Sequence, residues 1–212
     1  MPENNTLNSE ILQRAASELA EIEPAFARIL NTFGVPPLWD RAQSFATLLY
    51  IILEQQVSLA SAKAAFLKLE KKLGDIFPEN FLRLTDRQLK TIGFSQQKTR
   101  YGRILAREIY DGKLDLNQLA AINDDAVKNR LMALTGIGHW TSDIYLLMVL
   151  LRADVWPHGD RALAVAAYEV FELEKIPDYD SLRQMAEKWQ PWRSVAARFL
   201  WHYYLSTPRK KL

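Results

Sequence analysis

Along the 212 residues of this chain, no segment sustains the period-two alternation that a half-buried strand needs. Apolar residues recur at steps of three and four instead, in stretches punctuated by Pro, Gly and capping residues. A chain patterned this way buries its apolar stripes by packing helix on helix, so an all-α fold is expected. The segment "ADVWP" at 153–157 is too short to count as a strand, and there is no repeat or low-complexity tract.

The punctuation predicts about ten short helices. Ser9 reads as the cap of the first, with Ile11, Leu12, Ala15, Leu19 and Ile22 at helical spacing. Pro24 interrupts or restarts it, and "FGVPPLWD" at 33–40 is a rigid loop. A strongly apolar helix from Ser44 breaks at the polar run Gln55 to Ser58, and the helix after it stops at Gly74. Thr85 opens a short helix through a capping box and Gly93 ends it; Ser95 caps the next, which stops at Asp111 and Gly112. "DDAVKNRLMAL" at 124–134 is a further helix. Others are expected over Trp140–Leu151 and Asp160–Phe171, then from Ser181 with a second capping box, then a last one with Pro191 in its first turn. The tail "STPRKKL" is basic and is expected to fray. The polar breaks near Gln55 and at 152–160 are the natural places to divide the chain into two lobes.

Composition removes several chemistries. With no cysteine there is no disulfide, no thiolate nucleophile, no cysteine-ligated zinc and no cysteine-held iron–sulfur cluster. Hydrophobic residues at 49% argue against disorder. A net charge of +2 leaves nucleic-acid binding open, because a local patch can still be basic. The segment "MPENNTLNSE" lacks the basic-then-apolar order of a secretory signal, and no apolar run is long enough to span a bilayer, so no membrane partner is expected.

Two stretches carry chemistry. In "LTGIGHWTSD" at 134–143, Gly136 and Gly138 allow a tight bend or a close backbone approach, and Ile137 between them can plug into a core. Backbone amides of the bend and of the helix that follows would form an anion site suited to a DNA phosphate, with Thr141 adding a hydroxyl. The plainer alternative is a helix–helix loop and nothing more. No strand precedes the glycines and no Gly-Lys-Ser/Thr follows, so neither a dinucleotide fingerprint nor a P-loop is present. In "RADVWPHGDRAL" at 152–163, Asp160 stands at a helix start, in company with Asp154, His158 and Trp156. It is either a simple N-cap or a carboxylate able to stabilise a cationic sugar or orient a water.

Four segments together resemble the helix–hairpin–helix DNA glycosylases, and among them the bacterial 3-methyladenine DNA glycosylase II, or alkylpurine, branch. They are "IILEQQVSLASAKAAF" near 51, "LKTIGFSQQKTRYGRILA" near 89, "LTGIGHWTSDIYLLMVLLRADVWPHGDRAL" at 134–163 and "WQPWRSVAARFLWHYY" at 189–204. They follow family order and span most of the chain from about residue 44 onward. The resemblance implies a compact two-lobed helical fold without an N-terminal sheet domain. One lobe would be built from 1–45 and 155–212, the other from 46–154, with the helix–hairpin–helix at about 126–151. It implies hydrolysis of the N-glycosidic bond of 3-methyladenine and 7-methylguanine in duplex DNA after nucleotide flipping. Another monofunctional glycosylase of the superfamily, or a non-catalytic DNA-binding module, are the alternatives.

The family's essential aspartate falls on Asp160. Lyase members carry a lysine just after the hairpin; Trp140 stands there, which implies hydrolysis alone. Trp140 and Trp201 match pocket aromatics, Ile144 stands where a relative has tyrosine, and His202 falls at an aromatic position. Gln56 matches the residue that fills the gap in the base stack, although it is polar where a relative is apolar, and Ser58 lies beside it on the DNA side. No organic cofactor is implied, but backbone carbonyls of Met132, Leu134 and Ile137 match a structural monovalent-cation site at the hairpin. The partner implied is duplex DNA with alkylated bases. A monomer is expected, cytoplasmic in a bacterium or nuclear in a eukaryote. Lys63, Lys98, Arg100, Arg103, Arg193, Arg198, Arg209 and Lys210 are scattered cations, each more readily a solvated charge than a phosphate contact.

Overall fold

The computed structural model describes residues 6–208. Among them there are thirteen α-helices, one 3-10 turn and no sheet; Thr6 and Arg152 form an isolated antiparallel bridge. The fold is therefore all-α. Among the described residues no helix is long and apolar enough to cross a membrane. The chain divides into two compact units, one of Met1–Asp40 with Leu146–Leu212 and one of Arg41–Tyr145. The later border falls inside a helix rather than in the loop near 154.

The first unit holds α1 (Ser9–Ile22) and α2 (Pro24–Phe33) from the N-terminal part. Asn8, not Ser9, caps α1: its side-chain oxygen accepts from the Ile11 amide at 2.8 Å. Pro24 restarts the chain as the first residue of α2, where its missing N–H costs nothing. The second unit begins with α3 (Phe45–Glu54) and α4 (Leu59–Leu73), parted at the polar break and capped by Ser44 and Ser58. Then follow α5 (Pro78–Leu82), α6 (Asp86–Ile92), α7 (Gln96–Tyr110), α8 (Leu116–Leu119) and α9 (Asp124–Met132). Thr85 does make the capping box of α6 with Gln88, and Ser95 caps α7. The short α5 and α8 carry too few residues to show a periodicity.

The unit border lies within α10 (His139–Met148), which stops three residues before the predicted Leu151. The first unit resumes with α11 (Arg161–Val170), α12 (Tyr179–Ala186), a 3-10 turn (Glu187–Trp189) and α13 (Arg193–Ser206). Two predicted starts move. Asp178 caps α12 by accepting from the Ser181 amide at 2.9 Å, so Ser181 is inside the helix and no capping box forms there. Pro191 precedes α13 rather than sitting in its first turn, and the Gln190–Pro191 bond is cis.

The first unit's core is aromatic. The Phe26 ring stacks on Phe199 at 5.0 Å and touches Trp189 at 5.0 Å and Phe171 at 5.9 Å. Burying each such ring stabilises by about 2–3 kcal/mol. Against this core α13 packs on α11 and α2. A cation is buried there as well. Arg198 is fully enclosed and donates to the carbonyls of Leu38 (2.9 Å), Ser194 (3.0 Å) and Leu147 (2.8 Å). Burial pulls the guanidinium down to about 9, opposed by Asp40. A lysine cannot reproduce the planar fork. Arg198→Lys is expected to lower stability by about 2 kcal/mol, read as a shift in urea midpoint at constant slope.

In the second unit α7 packs on α3, α5 and α6. Phe81 sits against Phe45 (5.6 Å) and Phe94 (5.8 Å). Gly102 on α7 permits that closeness: a Cβ there would lie 2.9 Å from both Leu49 and Phe81.

Candidate functional site

Candidate groups occur in each unit. In the second unit the glycine bend joins α9 to α10. The Ile137 amide donates to the Leu134 carbonyl at 3.1 Å, and Gly136 stands in the left-handed region with φ 102°. Gly136 is also pressed on Tyr101, since a Cβ would meet that ring at 2.2–2.5 Å. Ile137 is buried as the expected plug. Gly138 differs: a Cβ there would meet nothing within 4 Å. Its carbonyl accepts from the Ser142 amide at 3.0 Å and so starts α10. One glycine is thus required by the fold, and the other borders open space where an external group can approach the backbone. Lys128 on α9 reaches buried Asp143 on α10 at 2.7 Å, which ties the two hairpin helices together.

Thr141 is not an outward hydroxyl. It is 2% exposed, and its Oγ1 accepts from Gln55 Nε2 at 2.8 Å. The same Gln55 amide donates to the Gly136 carbonyl at 2.9 Å. Thr141 therefore has no hydroxyl to offer outside the fold, and the polar groups left at the bend are backbone ones. Of the three carbonyls matched to a cation site, that of Leu134 already accepts the Ile137 amide.

Beside the hairpin the α3–α4 connection forms a short finger. Gln56 is exposed and left-handed at φ 54°, with Val57 and Leu59 also exposed after it. Ser58 is occupied as the cap of α4, accepting from the Ser61 amide at 3.2 Å. The end of α3 is clamped twice. Arg41 makes a two-point ion pair with Glu54 at 2.8 and 2.9 Å, and Lys98 donates to the Leu53 carbonyl at 2.7 Å. Burial holds the Lys98 ammonium below its usual range. Trp140 is half-buried and Ile144 is buried in α10.

In the first unit Asp160 makes two contacts. It is the N-cap of α11, its Oδ1 accepting from the Leu163 amide at 2.9 Å. The same oxygen accepts from Trp201 Nε1 at 3.3 Å. It is half-buried, not sealed in. The neighbouring acid and base of its loop have other tasks. Asp154 pairs with Arg193 at 2.7 and 2.9 Å, anchoring the start of α13. The His158 ring lies against that of Tyr179, tilted by 44° with centroids 3.8 Å apart.

Trp201 and His202 belong to an aromatic group on α13. Trp39 stands edge-on to both, at 6.4 Å from Trp201 and 6.3 Å from His202. His202 Nε2 donates to the Phe33 carbonyl at 3.0 Å, and its ring packs edge-on to Phe33. Trp39, half-buried with φ 49°, lies in the rigid loop at 33–40 and is no candidate by its sequence position. A bulky aromatic in a Pro-rich loop was the available signal, since such a residue takes a left-handed backbone only where its surroundings hold it there.

The scattered cations thin out. Lys98, Arg193 and Arg198 serve the internal partners given above, and Arg103 pairs with Asp86 at 2.6 Å. Arg100 is exposed over the Tyr101 ring and Lys63 is exposed. Arg209 and Lys210 lie outside the described residues. Among the described residues no cluster of His, Asp or Glu could hold a metal ion.

The sequence matches the family described as "HhH-GPD superfamily base excision DNA repair protein" over residues 49–191. A DNA-3-methyladenine glycosylase of Bacillus subtilis is 27% identical over 184 residues, which is 81% of this chain and 59% of that protein. YfjP of the same bacterium is 32% identical over 124 residues, 58% of this chain and 43% of that protein. The chain thus spans about half the length of these two relatives. The fold is similar to that of the Schizosaccharomyces pombe 3-methyladenine DNA glycosylase solved with abasic DNA. That match has a TM-score of 0.82 and 22% identity, covering 89% of this chain and 95% of the other. It is similar also to the DNA-3-methyladenine glycosidase of Bacillus halodurans. There the TM-score is 0.74 and the identity 26%, covering 91% and 89%.

Proposed function

Because the chain belongs to the HhH-GPD superfamily of base excision DNA repair proteins, we propose that it is a monofunctional DNA glycosylase for alkylated purines. Its substrates are 3-methyladenine and 7-methylguanine in duplex DNA, reached by nucleotide flipping. The single observation that carries this reading is the setting of Asp160. A carboxylate is fixed by a helix amide and an indole N–H, next to the aromatic group of Trp39, Trp201 and His202. Similarity to proteins named as 3-methyladenine glycosylases supports it.

The chemistry needs little more. The bond from the sugar C1′ to the base nitrogen breaks, and both electrons leave with the base, discharging its alkylated, positively charged ring. The sugar is left oxocarbenium-like. A water adds to C1′ and gives up a proton. Asp160 supplies the negative charge that the sugar cation requires and an acceptor toward which the water can orient. A cationic base is a good leaving group, so a separate strong general acid is not needed, unlike the paired acids of sugar hydrolases. Aromatic faces attract a cationic ring and favour it over a neutral base. The bend at Gly136 and Gly138 offers backbone amides to a phosphate, which positions DNA without reading its sequence. Gln56 fills the space that the flipped nucleotide leaves. Trp140 replaces the amine that a lyase requires, so no Schiff base forms.

Incubation with duplex DNA carrying a single 7-methylguanine tests this. Free 7-methylguanine should appear in the supernatant, and the strand should stay whole until heated in alkali. A protein that releases no methylated purine sinks the substrate assignment; spontaneous nicking sinks the hydrolysis-only mechanism.

A further inference from the structure

We propose that Gln55 is a positioning residue that couples the phosphate-binding bend to the Gln56 finger. The inference rests on the glycosylase reading above. Its starting point is a backbone that should not be stable by itself. Gln56 adopts φ 54° with an exposed, unbranched side chain, a conformation that L residues rarely take without surrounding constraint. A glycine would relieve the strain and forfeit the side chain. The residue just before it supplies the constraint.

Gln55 ends α3 with its amide donating to the Ile52 carbonyl at 3.3 Å, and its backbone leaves the helix at ψ 124°. Its side chain turns back to the hairpin. The two N–H bonds of Nε2 go to different parts of that hairpin, one to the Gly136 carbonyl at 2.9 Å and one to Thr141 Oγ1 at 2.8 Å. Both acceptors are in the segment that would seat the phosphate, one in the bend and one in the first turn of α10. Thr141 is buried, so its hydroxyl is reserved for this contact. On the other side Arg41 holds Glu54 and Lys98 holds the Leu53 carbonyl, so the helix end cannot swing away. The finger and the bend therefore share one rigid link through a single amide group. A phosphate seated on the bend fixes where Gln56 enters the stack, which is how a backbone contact without base information can still aim a gap-filling residue.

Binding to duplexes with and without a central tetrahydrofuran, an abasic gap that needs no base release, tests the coupling in a double-mutant cycle. Wild type should prefer the gapped duplex. Gln55→Leu should lose roughly tenfold of that preference while its affinity for intact duplex changes by less than about twofold. Gln56→Ala should lose a similar amount, and the Q55L/Q56A double variant should be no worse than either single one. If Q55L does not fold, Thr141→Val takes its place and should cost roughly threefold in the same preference, again without adding to Q56A. Losses that multiply in the double variant, or a parallel fall in intact-duplex affinity, overturn the coupling and leave the glycosylase reading standing. A wild type with no preference for the gap overturns both.

Discussion

Asp160→Asn should reduce the rate of base release by roughly 10²-fold or more, the size of effect seen when a pre-organised electrostatic partner is removed from a reacting centre. The substitution isolates charge from structure. Asn caps a helix as well as Asp does, and its side-chain oxygen can still accept from the Leu163 amide and from Trp201 Nε1. Thermal stability should therefore shift by no more than about 2 °C, and duplex affinity should stay within about threefold. Asp160→Ala is the control for the other half of the residue: it loses the charge and the cap together, and should cost a further ~1 kcal/mol of stability. Single-turnover release of 7-methylguanine, measured alongside a melting curve, separates the two losses. An asparagine variant as fast as wild type would remove Asp160 from the mechanism and return it to a helix cap.

The largest effect on stability is expected from Gly136→Ala. The new Cβ would lie 2.2–2.5 Å from the Tyr101 ring, and alanine would also have to take φ 102°. Overpacking and left-handed strain together amount to about 3–5 kcal/mol. For a chain of this size that lowers the melting temperature by roughly 10 °C. Gly138→Ala is the informative partner, because its Cβ enters open space. It should melt within about 2 °C of wild type yet bind undamaged duplex several-fold more weakly at low salt, where phosphate contacts dominate. Normal duplex binding by a folded Gly138→Ala protein would show that the bend is not where phosphate sits.

The helical character, most helix ends and the bend itself were legible because they rest on local chemistry. Thr85 with Gln88, Ser95 and Pro24 act within one turn of where they stand, so the sequence contains the whole interaction. The same local logic misplaced two caps for a simple reason. Asn8 and Asp178 compete with Ser9 and Ser181 as side-chain acceptors, and the better-placed carboxyl or amide oxygen takes the N3 amide. The candidate site was legible as a set of positions but not as a set of roles. Two consecutive glutamines look alike in sequence. Only the fold shows that Gln55 turns inward to the hairpin while Gln56 stays exposed. Thr141 carries a hydroxyl suited to phosphate, yet a partner 86 residues away in sequence claims it. Asp154 and His158 are company for Asp160 in sequence, but Arg193 holds the one and Tyr179 the other. Trp39 joins Trp201 across most of the chain length, a pairing that no local pattern encodes.

The double attachment of Asp160 has a bearing on how this region can vary. Its oxygen is held by the α11 backbone and by a side chain of α13, so its coordinates are indexed to two packed helices and not to the loop that delivers it. Upstream, the loop is pinned separately where Val155 and Ser194 exchange hydrogen bonds. Between these two anchor points Pro157 is buried, His158 lies against Tyr179 and Gly159 takes φ 64°, where a side chain is strained. Variation in this stretch is thus confined to the few residues between two fixed ends, and the carboxylate keeps its place on the helices that hold it.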